Sequence, residues 1–135
     1  MTPRLVVAAD GVATITLARP QHLNRLHRED LRALLAHFER LAADPVPRVL
    51  VITGQGRAFC AGFHLGELDG ADDPRLFETM VDALEALPLP TIARLNGIVY
   101  GGATDLALAC DFRVGVSGME LRMPAARLGL HYYPN

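Results

Sequence analysis

Lysine is absent from this sequence: all 13 of its basic residues are arginine. That excludes Schiff-base chemistry through a lysine amine and phosphate loops built around a lysine. Serine is almost as scarce, with Ser117 alone, and in Gly115-Val116-Ser117-Gly118-Met119 a methionine stands where a nucleophile elbow needs its closing glycine. A serine hydrolase of that kind is excluded. Cysteine is limited to Cys60 and Cys110, both beside apolar residues and without metal-ligand spacing, so they read as buried thiols of no chemical role. His22, His27, His37, His64 and His131 share no helix face at ligand spacing, and no metal is expected. No stretch reaches the roughly 18 apolar residues of a membrane span. Residues 1–10 lack the basic start and apolar run of a secretory leader, so no membrane association is expected and the expected location is the cytoplasm. A formal net charge of -2 gives no basic footprint, and nucleic acid is not an expected partner.

What is present is ordinary globular composition, 50% hydrophobic and 21% charged, which predicts one soluble domain over residues 1–135. Leu5 to Ala9 and Val12 to Leu17, joined by Asp10-Gly11, predict an opening β-hairpin. After a polar bend at Arg19 to Arg25, apolar Leu31, Leu34, Leu35, Phe38 and Leu41 recur at helical steps until Asp44-Pro45. Val49 to Thr53 is a continuous run expected of a strand covered on both faces, ending in Gly54-Gln55-Gly56. A loop from Gly62 to Pro74 precedes a second helical stripe, Leu76 to Leu87, closed by Pro88 and Pro90. Thr91 to Leu95 reads as a strand, Asn96-Gly97 as a turn, Gly101-Gly102 as the start of a short helix through Cys110, and Phe112 to Val116 as a further strand. This alternation predicts an α/β fold with a mainly parallel sheet and right-handed crossovers. The sequence shows no internal repeat or linker.

Gly54-Gln55-Gly56 after a buried strand invites a dinucleotide-binding reading, but Phe59 stands where the third glycine belongs and no helix clearly begins. Two other segments place backbone amides where an anion could use them. Gly101-Gly102 opens a helix whose first amides lack partners within the helix and whose dipole favours negative charge. Ala61-Gly62-Phe63 is a small-residue bend that permits close backbone approach, with the Phe63 amide as a second candidate donor. Glycine at such bends usually serves packing, and these residues alone leave a functional site as the lesser of two open readings.

Arg57-Ala58-Phe59-Cys60-Ala61-Gly62-Phe63-His64-Leu65 resembles the R-A-F-C-A-G-x-D-L stretch of the crotonase (enoyl-CoA hydratase/isomerase) family. Asn96-Gly97, followed by Gly101-Gly102-Ala103-Thr104-Asp105-Leu106-Ala107-Leu108-Ala109-Cys110-Asp111, resembles its N-G-x-x-x-G-G-G-x-E-L-A-L-A-C-D stretch. Ile15 to Leu26 and Met123 to Leu130 resemble its I-T-L-N-R-P-x-x-x-N-A-L and M-P-E-x-x-L-G-L segments. The resemblance covers nearly the whole chain. It implies a crotonase-type ββα superhelix, cut before the C-terminal helical region, so that residues 1–135 form the N-terminal half of the usual family chain. The lid and the helices that join subunits are then expected to be missing, with apolar surface exposed in their place.

The resemblance also implies a mechanism. Two backbone amides polarise a thioester carbonyl and stabilise the enolate formed from it. By position these are Phe63 and Gly102. An acyl-CoA thioester is then the substrate, with no separate cofactor, and a full-length family chain assembles as a homo-oligomer, a trimer or hexamer. Leu23, Arg25, Ala61, His64 and Leu65 are the implied coenzyme A contacts, joined by Gly101, Ala125, Tyr132 and Tyr133 as further substrate-binding positions. The family's two glutamates fall on Asp105, which keeps a carboxylate, and on Ala125, which cannot exchange a proton. Glu120 reads as a solvated surface residue, and Tyr132 or Tyr133 as a proton donor or as the aromatic wall of an acyl pocket. The expected activity is enolate stabilisation of the hydratase/isomerase type. The alternative is an inactive remnant that serves only in acyl-CoA binding or subunit assembly.

Overall fold

The computed structural model describes residues 1–63 and 75–123. β1 (Arg4–Val7) and β2 (Val12–Leu17) form the expected antiparallel hairpin. Its turn is longer than the apolar run suggests, because Gly11 takes a positive φ of 89° and donates to the Ala8 carbonyl at 3.0 Å. β3 (Val49–Gly54), β5 (Thr91–Leu95) and β7 (Phe112–Gly115) add to β2 in parallel, giving the order β1-β2-β3-β5-β7.

The strands the sequence reading missed are short: β4 (Ala58–Cys60), β6 (Ile98–Tyr100) and β8 (Leu121–Arg122). They form a second parallel sheet, β4-β6-β8. With α2 (Leu76–Glu85) and α3 (Ala103–Ala109), the chain therefore runs β3-β4-α2, then β5-β6-α3, then β7-β8. Each turn of this path adds one strand to each sheet. The structure thus repeats the ββα unit that the family resemblance implies and that local periodicity does not reveal, because short strands are too brief to show a period.

α1 (Arg28–Ala43) buries Leu31, Leu34, Phe38 and Leu41 on the expected face. Its start is fixed by Asp30, whose carboxylate accepts the His27 N–H at 2.8 Å and the Arg19 Nε–H at 2.9 Å. That pairing raises the pKa of the Arg19 guanidinium. Ile15, Leu17, Leu50, Ile52, Met80, Leu84 and Leu106 complete the core. β3 departs from the expectation of two covered faces: Leu50 and Ile52 are buried, but Val49 and Val51 are only partly so. β7 is exposed along its whole length, with Phe112 61% and Val114 60% exposed on the edge of the sheet. No described helix is long and apolar enough to cross a membrane.

α3 is anchored at its far end. The Arg113 guanidinium donates to the carbonyls of Cys110 at 2.9 Å and Ala107 at 3.3 Å, capping the last turn. Thr91 and Asp111 bond reciprocally: Asp111 accepts the Thr91 N–H at 2.9 Å, and Thr91 Oγ1 accepts the Asp111 N–H at the same distance. The helix is thereby tied to β5 just before β7 begins.

Candidate active site

The bend after β2 carries the first part of the site. A 3-10 turn (Pro20–His22) leads into Leu23 and Asn24, whose φ values of 53° and 56° lie in the left-handed region. Asparagine tolerates that region; leucine adopts it at a cost. Asn24 holds the bend. It is 1% exposed, its Oδ1 accepts the Arg19 N–H at 2.9 Å, and its Nδ2 donates to the carbonyls of Gln55 and Ala58, each at 2.9 Å.

The segment after β4 runs beside this bend. Ala61 N–H donates to the Leu23 carbonyl at 2.9 Å, Leu26 N–H donates to the Gly62 carbonyl at 2.7 Å, and Leu26 bridges Phe63 in parallel fashion. Leu23 and Arg25 are therefore neighbours of the Ala61 to Phe63 segment, Leu23 half-buried and Arg25 exposed. Gly54-Gln55-Gly56 leads into β4 rather than a helix, which removes the dinucleotide-binding reading.

The second segment is set by Asn96. Its Oδ1 accepts the Gly54 N–H at 3.0 Å, and its Nδ2 donates to the carbonyls of Gly56 at 2.9 Å and Ala58 at 3.0 Å. β6 follows, and Gly101 then donates to the Arg122 carbonyl at 2.8 Å with a φ of 58°. Gly102 is the N-cap of α3.

The two segments meet. Gly62, with φ 92°, has no room for a side chain: a β-carbon there would stand 2.9 Å from the Tyr100 carbonyl oxygen and 3.3 Å from the Gly102 nitrogen. Among the described residues, neither the Phe63 N–H nor the Gly102 N–H donates to a protein acceptor. Two amides on adjoining turns, both available, suit an oxygen that gains charge. The helix dipole matters less than the sequence suggests, since α3 has only 7 residues and the field of so short a helix is small.

Asp105 lies in the first turn of α3, partly buried, three positions after Gly102. Glu120 is occupied elsewhere: it accepts the Tyr100 hydroxyl at 2.7 Å and pairs with Arg122. The hydrogen bond to Glu120 raises the Tyr100 pKa. Cys60 and Cys110 are buried thiols, pushed up by burial to about 12 and about 11. Neither is a nucleophile at neutral pH. His64, Leu65, Ala125, Tyr132 and Tyr133 lie outside the described residues.

Sequence reasoning gave no role to Phe77, which it took as one residue of a helical stripe. Its ring abuts Gly102 and lies 6.3 Å from the Phe63 ring. The only local signal was an extra aromatic beside a stripe that Leu76, Met80, Val81 and Leu84 already fill.

Comparison with known proteins agrees with this architecture. The family model for enoyl-CoA hydratase/isomerase matches residues 8–132. The probable enoyl-CoA hydratase echA6 of Mycobacterium tuberculosis is 36% identical over 126 residues, covering 93% of this chain and 51% of that protein. The enoyl-CoA isomerase/hydratase fer4 of Mycosarcoma maydis is 33% identical over 135 residues, with 89% and 49% covered. Among solved structures, an enoyl-CoA hydratase from Bacillus anthracis superposes with a TM-score of 0.88 at 32% identity, covering 96% of this chain and 53% of that one. An enoyl-CoA hydratase/isomerase family member gives a TM-score of 0.90 at 28% identity, with 98% and 54% covered. The chain spans about half the length of the curated relatives it matches.

Proposed function

The chain belongs to the enoyl-CoA hydratase/isomerase family and has the N-terminal part of the crotonase fold, and from that premise we propose that it binds an acyl-CoA thioester and stabilises its enolate. The thioester oxygen lies between the N–H groups of Phe63 and Gly102. The observation that carries this reading is the contact of the two donor segments at Gly62 and Gly102, with both amides available among the described residues. Removing a proton from the carbon next to the carbonyl sends the C–H electron pair into a new C=C bond and the C=O π pair onto oxygen. Two preorganised amides lower the energy of that oxyanion. Leu23, Arg25 and Ala61 flank the coenzyme A, with the exposed Arg25 guanidinium toward its phosphates.

Asp105 is the acid-base group. A lone carboxylate can take a proton from the carbon next to the carbonyl of a 3-enoyl thioester and return it two carbons further on, moving the double bond into conjugation. Hydration asks for more, a base for water and an acid for the α-carbon, and Ala125 stands where the second family carboxylate would be. Proton shuttling of the isomerase type is therefore favoured over hydration. The same substitution supports a second reading, a chain that binds acyl-CoA or joins an assembly without turnover. We place the protein in the cytoplasm, working as a homo-oligomer.

The test is Phe63→Pro, which deletes the Phe63 N–H donor and leaves the Gly102 N–H in place. A folded Phe63→Pro protein should lose most of its affinity for acetoacetyl-CoA, whose enolate mimics the intermediate. Full retention of affinity would sink the assignment.

A further inference from the structure

We propose that Phe77 is a positioning residue that fixes the spacing of the Phe63 and Gly102 amides. A β-carbon on Gly102 would stand 2.7 Å from Cζ, 3.1 Å from Cε2 and 3.4 Å from Cε1 of the Phe77 ring. The ring edge thus occupies the space that a side chain at position 102 would need. The same ring meets Phe63, with centroids 6.3 Å apart and planes tilted by 59°. One side chain on α2 therefore touches the residue at each donor.

The donors need such a brace. Each follows a glycine in the left-handed region, Gly62 with φ 92° and Gly101 with φ 58°, so the backbone leading into each amide has little steric restraint of its own. Donor placement matters on the scale of fractions of an ångström, and a misplacement of about 1 Å costs about 10²-fold in rate. α2 is a rigid base for the brace, because Leu76, Met80, Val81 and Leu84 are buried in the core. That leaves Phe77 on the flank toward α3.

Gly102 itself has φ -59°, an ordinary conformation in which alanine is comfortable. Its need for glycine comes from Phe77 and not from the backbone. This gives a distinctive expectation: the defect of Gly102→Ala is relieved by shrinking residue 77, whereas two unrelated packing defects would add.

The inference rests on the proposed thioester site, and the experiment separates the two. The probe is a CoA thioester of an enoyl chain conjugated to an aromatic ring, whose absorption shifts to the red when its carbonyl is polarised. Wild-type protein should shift the band. Phe77→Leu and Gly102→Ala should each lose most of that shift while affinity for free coenzyme A is unchanged, and the double variant should recover it. Should Phe77→Leu fail to fold, Phe77→Met is read in the same way, since its unbranched, flexible side chain fills irregular core space. A wild-type protein that binds the probe without shifting it overturns the proposed function, and this inference with it. A shift retained in full by Phe77→Leu overturns the inference alone.

Discussion

Asn24 and Asn96 donate to one acceptor: their side-chain amides stand 2.9 Å and 3.0 Å from the Ala58 carbonyl oxygen. Asn24 belongs to the bend after β2, and Asn96 to the turn between β5 and β6. Ala58 opens the strand that ends at the Phe63 segment, while Asn96 precedes the strand that ends at Gly102. One carbonyl therefore ties together the roots of both proposed donor segments.

Removing either amide should loosen that tie. Asn24→Ala deletes an acceptor for Arg19 and donors for two carbonyls, and it leaves alanine in a left-handed conformation. We expect a loss of about 2–4 kcal/mol in stability, since each buried group left unpaired costs roughly 1–3 kcal/mol. Asn96→Ala should cost a similar amount. Urea unfolding checks this through the midpoint, and a change under about 0.5 kcal/mol at either site, the size of an ordinary surface substitution, would contradict the clamp.

The thiols give a pH expectation. Burial raises Cys60 from the ordinary 9.0 to about 12 and Cys110 from 9.0 to about 11. The folded state therefore holds these protons more tightly than the unfolded chain does. Their contribution to stability is complete below pH 9.0 and fades as pH rises toward 11 and 12. Melting temperature should fall across that window and fall less in a Cys60→Ala, Cys110→Ala protein. Iodoacetamide at neutral pH should label neither cysteine until denaturant is added.

Chemistry should follow the carboxylates. Crotonyl-CoA hydration is expected to be weak or absent, because a positioned acid or base contributes about 10² to 10⁴ in rate and Ala125 supplies none. Ala125→Glu should raise hydration when made in a full-length homologous chain that completes the pocket. Double-bond isomerisation of a 3-enoyl-CoA should be lost in Asp105→Asn. Rapid hydration that survives Asp105→Asn and disappears on changing Tyr132 or Tyr133 to Phe would move the chemistry to the aromatic pair.

The apolar edge predicts association. Phe112, Val114, Val116 and Leu121 are each at least 50% exposed, and among the described residues β7 is an edge strand, paired in parallel with β5 alone. Such edges recruit further chain. Sedimentation should show concentration-dependent self-association, reduced by Val114→Lys. A monomer at every concentration would refute this.

Local patterning made part of this protein legible in advance. The hairpin, the stripes of α1 and α2, and the strands that became β3, β5 and β7 follow from apolar periodicity and from punctuation by Gly and Pro, which act between near neighbours. The residues of both proposed donor segments were visible in two family-like motifs, Arg57 to Leu65 and Asn96 to Asp111. Leu23 and Arg25 could be named from the same resemblance as candidate contacts; the Leu23 carbonyl accepts the Ala61 N–H, and Arg25 precedes Leu26, whose N–H donates to the Gly62 carbonyl.

Only the tertiary structure decided the rest. The β4-β6-β8 sheet is built from strands of two and three residues, each too short to carry a period, and it exists because distant turns of the chain stack in register. The double grip of Asn24 and Asn96 on Ala58 is a hydrogen-bond closure across three elements, which no window of sequence contains. Phe77 is the sharpest case: its sequence marks it as another apolar residue on a helix, and its place against Gly102 depends on how α2 lies on α3. Sequence determined which segments could fold and which amides were on offer. Packing over long chain separation determined that the segments carrying Gly62 and Gly102 meet.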